Sequence, residues 1–256
     1  MNLHMWRPLI TAAAVGLGGL AQANASDLKV LTAGAYRQVV DALVPDFEKQ
    51  TGNKVTVDNG TTGQLTKRID GGEAFDVLVI TPAVVDQMIA SGKLAPGSRV
   101  MLASVGVGVV VKEGAPKPDI STVEAFKNAL LAAKSVAYID PASGGSSGIY
   151  VDKLLVTLGI ADQIKPKTKL KQGGHVADLI ASGEAELGIH QISEIVPVKG
   201  VTLVGPLPKE IQSTTVYAGG LSATTKDKEA ATELLKYFSG PDAAAVLKSK
   251  GMDPAK

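Results

Sequence analysis

The segment LKVLTAGAYRQVVDALVPDF, residues 28–47, decides the fold class. Its first four residues form a short apolar run that is typical of a buried strand. The apolar residues that follow recur at intervals of three and four, the period of one helix face; they are Tyr36, Val39, Val40, Leu43, Val44 and Phe47. The segment therefore predicts a strand followed directly by an amphipathic helix.

The same alternation continues along the chain. Further strands are predicted at 55–57, 76–80, 105–112, 135–139, 185–191 and 215–224. Further helices are predicted at 64–69, 82–90, 123–133, 147–158, 175–182, 228–238 and 242–250. Strands that alternate with helices indicate a mostly parallel sheet. We expect an α/β protein with two lobes, in which 105–112 leaves the first lobe, 215–224 returns to it and the last two helices pack on it.

The composition excludes several classes of function. Lys and Arg number 26 against 25 Asp and Glu, and the two signs alternate along the chain, so a nucleic-acid partner is not expected. The chain has no cysteine, which rules out disulfides, thiolate nucleophiles and cysteine-based zinc sites. His175 and His190 do not have the His-Glu-x-x-His spacing of a metalloprotease. We expect neither a metal nor a cofactor.

The first 25 residues have the pattern of an export signal. Arg7 supplies the positive start, 8–20 is the apolar run, and Ala23-Asn24-Ala25 is a small-x-small cleavage site. The run is interrupted by Thr11 and several glycines, and it is shorter than the roughly 18 apolar residues that a membrane span needs. We predict cleavage after Ala25 and a mature periplasmic protein that is monomeric.

Four loops before predicted helices share glycine and hydroxyl residues; they are AGAY (33–36), GTTG (60–63), GGSSG (144–148) and QGGH (172–175). The free N–H groups and the positive dipole at the start of a helix favour an anion. In an open α/β sheet such junctions lie at the carboxyl ends of the strands, where ligands bind. One junction alone is also what an ordinary N-cap looks like. The set of four predicts a cleft that holds an anion.

An ordered series of segments carries a family resemblance: TAGA (32–35), NGTT (59–62), FDVLV (75–79), DP (140–141), GIY (148–150), ELGI (186–189) and FSGPDAA (238–244). Over 28–253 the chain resembles the periplasmic molybdate-binding proteins. The resemblance implies a type 2 periplasmic solute-binding fold with two crossover strands, a ligand in the hinge cleft and an ABC permease as partner. We expect lobe 1 to comprise 26–107 and 219–256, and lobe 2 to comprise 108–218.

The chain departs from this family at two places in the ligand site. The family has a serine after the first strand where this chain has Gly34-Ala35, and a tyrosine after the Leu-Gly-Ile strand where this chain has His190-Gln191. Arg37 follows the first departure. A small tetrahedral oxyanion is held by neutral donors, whereas a planar carboxylate favours a guanidinium fork. We therefore predict an organic di- or tricarboxylate rather than molybdate.

The residue assignments follow from the junctions and the resemblance. The resemblance implies that Thr61 or Thr62 replaces a second family serine and that Ser147 lies where the family uses a backbone N–H. The predicted ligand-binding residues are Gly34, Ala35, Arg37, Thr61, Thr62, Ser146, Ser147, Tyr150, Gly174 and Gln191. Arg37 fits equally well on the solvated face of the first helix. His175 and His190 also fit as a surface residue and a hydrogen-bonded structural residue.

Two enzymatic alternatives remain open. The resemblance extends to aconitate isomerase, for which His175 or His190 would be the base and Arg37, Thr62 and Ser147 the cradle for the developing charge. A hydrolase is the other alternative, because 144–148 matches the nucleophile-elbow pattern G-x-S-x-G around Ser146. Residues 140–143 separate that serine from the strand, which favours an anion-binding loop.

Overall fold

The segment 28–47 forms the strand and the helix that its sequence predicts. The computed structural model describes residues 25–255, so the predicted export signal lies outside the described residues except for Ala25. The first six elements alternate between strand and helix: β1 (Asp27–Ala33), α1 (Gly34–Thr51), β2 (Lys54–Gly60), α2 (Thr62–Asp70), β3 (Val77–Ile80) and α3 (Pro82–Ala90). All six apolar residues of the predicted face of α1 are buried, which confirms the helical period.

The chain then crosses into a second lobe and returns. The crossing strand is β4 (Val100–Lys112). The second lobe contains α4 (Val123–Ala132), β5 (Val136–Ile139), α5 (Ser146–Thr157), α6 (Ala161–Ile164), β6 (Thr168–Lys171), α7 (Ala177–Ala181), β7 (Leu187–Gln191), α8 (Ile192–Ile195) and β8 (Val201–Pro206). The chain ends with β9 (Thr214–Leu221), α9 (Lys228–Tyr237), α10 (Pro241–Ser249) and β10 (Asp253–Pro254).

Strand β4 joins the two lobes. The strand order is β2-β1-β3-β9-β4-β7-β5-β6, and β8 and β10 also pair with β4. Residues 100–106 of β4 pair with β9, whereas residues 107–112 pair with β7 and β8. The chain returns to the first lobe between β8 and β9. The expected α/β architecture with two lobes and crossing strands is confirmed, and the lobe boundaries at 107/108 and 218/219 stay predictions. The prediction of a mostly parallel sheet is wrong: the strands within each lobe pair in parallel, but every pair made by the crossing strands β4 and β9 is antiparallel.

Each lobe buries apolar residues on both faces of its part of the sheet. In the first lobe, α1, α9 and α10 pack on one face, around Phe47 and Leu234, and α2 and α3 pack on the other, around Leu65 and Val85. In the second lobe, α4 and α5 cover one face, and α7 and α8 cover the other. Because parallel strands covered on both faces leave only their ends free, ligand access is confined to those ends.

The sequence did not predict several short elements. The strand β6 is an edge strand that pairs with β5 alone among residues 25–255, and its sequence Thr-Lys-Leu-Lys has one apolar residue, too few for an apolar pattern. The predicted helix at 175–182 is shorter, since α7 begins at Ala177 and His175 precedes it. Within residues 25–255 no helix is long and apolar enough to span a membrane.

Candidate functional site

A cavity lies between the lobes where the strands end. The space that the centres of water-sized molecules can occupy is about 30 Å³, and all empty space, including open solvent at the mouth, amounts to about 380 Å³. Nine residues predicted to act in the site line it: Gly34, Ala35, Thr61, Thr62, Ser146, Ser147, Gly174, His190 and Gln191. Three further polar side chains that the sequence did not single out also line it, those of Asn59, Glu194 and Tyr217.

Three other predicted residues do not line this cavity. The Nε of Arg37 donates to Asp41 Oδ1 at 2.6 Å, and its Nη1 donates to Asn59 Oδ1 at 3.1 Å. The hydroxyl of Tyr150 donates to the carbonyl of Ile211. His175 is half-buried in the turn before α7. Arg37 therefore reaches the cavity only through Asn59.

The first helix opens onto the cavity without a cap. Strand β1 ends at Ala33, whose backbone is the N-cap of α1, and no side chain accepts a hydrogen bond from the first turn. The first N–H groups of a helix have no partner within the helix. Gly34 and Ala35 begin α1 and line the cavity, so this turn presents free donors to a ligand.

The second helix is capped by its own residues and contacts the other lobe. Thr61 and Gln64 form a capping box, in which Thr61 Oγ1 accepts from the N–H of Gln64 and Gln64 Oε1 accepts from the N–H of Thr61. The hydroxyl of Thr61 donates to the carbonyl of Ser143. The N–H of Gly63 donates to the carbonyl of Gly144 at 3.2 Å. The two lobes are therefore in contact at the mouth of the cleft.

The α5 junction supplies hydroxyl groups from the second lobe. Gly145 is its N-cap, and Ser146 and Ser147 are its first residues. Ser146 Oγ accepts from Gln191 Nε2 at 3.2 Å, and Gln191 Oε1 accepts from the hydroxyl of Tyr217 at 3.0 Å. The serine is thus held by an amide rather than by a histidine. The 3₁₀ turn Pro141–Ser143 also separates it from β5, which is not the strand-to-helix turn of a nucleophile elbow.

A buried acid and a buried histidine face each other in the cleft. The Nε2 of His190, at the end of β7, lies 3.2 Å from Oε2 of Glu194 on α8, and the two side chains are 2% and 7% exposed. Burial raises the pKa of the Glu194 carboxyl to about 8 and lowers the pKa of the His190 imidazole, because both charged forms lose hydration. The Nδ1 of His190 has no hydrogen-bond partner among residues 25–255.

Oε1 of Glu194 occupies the space that a Cβ on residue 34 would need. A Cβ on residue 34 would lie 2.6 Å from Oε1 of Glu194, closer than real Cβ atoms approach other atoms. A carboxyl group from α8 therefore lies where a side chain on residue 34 would stand. The spacing of four does not predict this pair, because His190 lies in β7 and Glu194 in α8, whereas such a spacing indicates contact between residues of one helix.

The donors in this cavity are neutral. Of the residues described, 25–255, no lysine or arginine is among those that line it. No group of three or more His, Asp or Glu residues in that part of the chain is arranged to hold a metal ion. Helix starts from both lobes, hydroxyl groups and amides therefore make up the donor set, which suits a small anion.

The comparison with known proteins agrees with this fold. A family model described as bacterial extracellular solute-binding protein matches residues 28–253, and the chain therefore belongs to that family. An aconitate isomerase of Pseudomonas sp. is 34% identical over 241 residues, which cover 92% of this chain and 90% of that protein. The molybdate-binding protein ModA of Azotobacter vinelandii is 29% identical over 256 residues, 93% of this chain and 94% of that protein.

Solved structures show the same fold. The periplasmic molybdate-binding protein of Azotobacter vinelandii superposes with a TM-score of 0.76 at 23% identity, covering 90% of this chain and 100% of that one. The sulfate-binding protein SubI of Mycobacterium tuberculosis H37Rv superposes with a TM-score of 0.71 at 16% identity, covering 90% and 88%. The predicted resemblance to molybdate-binding proteins and the two-lobed binding-protein fold are confirmed.

Proposed function

We propose that the cleft binds a small organic anion with two or three carboxylates and that the protein delivers it to an ABC-type permease. The observation that carries the proposal is the closeness of Glu194 to Gly34. A Cβ added to Gly34 would lie 2.6 Å from Oε1 of Glu194. A serine hydroxyl suits an inorganic oxyanion, whereas a protonated carboxyl shares its proton with a ligand carboxylate in a short, charge-assisted hydrogen bond. Free N–H groups at the starts of α1 and α5 hold the remaining charge.

Arg37 has a supporting role in this proposal. Its Nη1 donates to Asn59 Oδ1 at 3.1 Å, and Asn59 lines the cavity. Because the amide oxygen is held by the guanidinium, the amide NH2 group is left to face the ligand. Arg37 thus acts as a positioning residue for Asn59, while Asp41 neutralises its positive charge.

Export is part of the same proposal. Cleavage after Ala25 would start the mature, monomeric chain at Ser26, whose N–H donates to Asn53 Oδ1 at 2.9 Å and whose hydroxyl donates to Asp227 Oδ1 at 2.7 Å. Both contacts lie at the far end of the sheet from the cleft, so a free amino group there does not disturb the site. Mass spectrometry of the exported protein tests this start, and an intact Met1 would contradict it.

A thermal-shift screen of the mature protein tests the ligand class. A ligand that binds only the folded state raises the free energy of unfolding, by about 2.7 kcal/mol at a hundredfold excess over Kd. The melting temperature rises as a consequence. We expect aconitate, citrate or a dicarboxylate to raise it more than molybdate or sulfate. Small-angle scattering with the best ligand should show compaction of the two lobes. Tight binding of molybdate with no response to any carboxylate would contradict the proposal.

A second candidate function is the cofactor-free isomerisation of an unsaturated tricarboxylate. The observation that favours it is the buried pair His190 and Glu194, since a carboxyl whose pKa is raised to about 8 is poised for proton transfer near neutral pH. The aconitate isomerase relative also supports it. In this reaction a base takes a proton from the CH2 carbon beside a carboxylate. The electron pair of that C–H bond forms a new double bond, and a proton returns to the other end of the allylic system.

Proton NMR in heavy water separates the two candidates. The isomerase predicts conversion between cis- and trans-aconitate, with no cofactor added and with deuterium entering the CH2 position. The N–H groups at the starts of α1 and α5 would hold the charge of the dienolate. Binding of aconitate without deuterium incorporation would contradict the proposed isomerase activity and would be consistent with the proposed binding protein.

A further inference from the structure

We infer that Glu194, in the space left by Gly34, stays protonated and donates a hydrogen bond from its O–H group to the bound anion. These two residues together then determine which ligand the cleft accepts and at what pH. The inference rests on the proposed anion binding in this cleft but not on the identity of the anion. It concerns a residue that the sequence pattern did not single out.

The position of the carboxyl is the first step. Glu194 lines the cavity and is buried, and its Oε1 would lie 2.6 Å from a Cβ on residue 34. Gly34 is the first residue of α1, whose uncapped N–H groups open onto the cavity. An anion held by those N–H groups therefore lies beside Oε1, and the oxygen either repels the anion or donates a proton to it.

The charges around Glu194 decide between these two cases. His190 contacts Oε2 at 3.2 Å and is the only partner of the carboxyl in residues 25–255. The hydroxyl of Tyr217 donates to Oε1 of Gln191 at 3.0 Å, and its proton is therefore not directed at Glu194. Lys171 is paired with Asp178 at 3.0 Å, and Arg37 is paired with Asp41 at 2.6 Å.

Burial lowers the pKa of the His175 imidazole, which is therefore uncharged near neutral pH. Among residues 25–255 no unpaired cation at the cavity thus neutralises an ionised Glu194 beside an anion. An unpaired buried charge is costly, and a second negative charge raises that cost. The pair with the least electrostatic cost is a neutral carboxyl beside a neutral imidazole, and burial shifts both pKa values in that direction. The neutral carboxyl has one O–H, which is the donor that the anion needs.

The consequence is a binding affinity that depends on pH. A serine hydroxyl donates at any pH, whereas Glu194 donates only while it is protonated. Anion binding raises the pKa of the carboxyl further, so binding above about pH 8 takes up a proton from solution. Affinity is then highest below that pH and falls as the pH rises.

Isothermal titration of the mature protein with aconitate, citrate and molybdate, from about pH 7 to about pH 9.5, tests the inference. Measurements in HEPES and in Tris, which differ in ionisation enthalpy, give the number of protons taken up. For the wild type we expect proton uptake and a Kd that rises about tenfold per pH unit at the upper end of the range. Glu194→Gln keeps an N–H donor that does not titrate, so its Kd should be nearly independent of pH.

Two further variants complete the experiment. Glu184→Gln changes an exposed carboxyl of the same lobe and should keep the wild-type pH profile. Gly34→Ser displaces the Glu194 carboxyl and restores a hydroxyl, so it should flatten the profile and improve binding of molybdate relative to aconitate. If Gly34→Ser does not fold, Glu194→Gln alone decides. Wild-type binding with no pH dependence and no proton uptake would overturn the inference and leave the proposed function intact, whereas a wild type that binds none of the probes would overturn both.

Discussion

Gly63 and Gly144 face each other across the mouth of the cleft, one from each lobe. The N–H of Gly63 donates to the carbonyl of Gly144 at 3.2 Å. A Cβ on Gly63 would lie 2.9 Å from the Cα of Gly144, and one on Gly144 would lie 2.6 Å from the Cα of Gly63. The two lobes therefore meet backbone to backbone, and this approach is possible only because neither residue has a side chain.

Gly63→Ala should block closure of the cleft without weakening the fold. Gly63 lies in α2, where alanine favours the helix by up to about 1 kcal/mol over glycine. We therefore expect an unchanged or higher melting temperature, together with a Kd for the best ligand at least about tenfold weaker. Gly71→Ala is the control, since its φ is −76° and its nearest neighbours are at 3.4 Å. Equal affinity in both variants would show that the lobes need not touch here.

Thr61→Ala should lower both stability and affinity, because this hydroxyl both caps α2 and contacts Ser143 of the other lobe. Loss of an N-cap costs about 1 kcal/mol of unfolding free energy. Thr122→Ala removes the same kind of cap from α4, outside the cavity, where Thr122 Oγ1 accepts from Ala125 at 3.1 Å. Urea denaturation should give similar losses for both variants, while titration should show weaker binding only for Thr61→Ala. Weaker binding in both would mean that the effect is one of stability alone.

Arg37 and Asn59 should behave as one unit in ligand binding. If the guanidinium acts only through Asn59, then Arg37→Ala weakens binding a few-fold, and adding it to Asn59→Ala causes little further loss. Titration of the double-mutant cycle should give a coupling of about 0.5 kcal/mol or more. Asp41→Ala, which removes the other partner of Arg37, is the control and should leave affinity nearly unchanged. Additive losses, or a loss of about 2 kcal/mol from Arg37→Ala alone, would instead place the guanidinium on the ligand.

The stability of the ligand-free protein should fall between pH 6.5 and about 8 because of Glu194. Its pKa is raised from 4.5 to about 8, so its contribution is present in full below the lower value and is lost as the pH rises through the upper one. His190, whose pKa is lowered from 6.5, destabilises only below that value, as the unfolded chain takes up its proton. Thermal unfolding should therefore show a decline for the wild type across this interval and a smaller decline for Glu194→Gln. Parallel curves would contradict the raised pKa.

The helical and strand periods in the sequence predicted most of the fold. The six apolar positions of α1 are buried as its period of three and four requires, and the glycine and hydroxyl junctions at Gly34, Thr61 and Ser146 all begin helices beside one cavity. These features are local, because a period or a cap depends on residues within one or two turns. The elements that were missed, such as β6 and α8, are short and polar or stabilised by packing rather than by a pattern of their own.

The sequence by itself thus determined the alternation of strands and helices and the helix starts that can hold an anion, and its lack of cysteine excluded a thiolate. Only the tertiary structure decided which side chains enter the cleft. Glu194 lies against Gly34 because α8 packs on α1, and Arg37 turns to Asp41, one helical turn away, instead of to the cavity. Contacts between residues distant in sequence depend on how helices pack and on which space a glycine leaves empty, and no local pattern encodes that space.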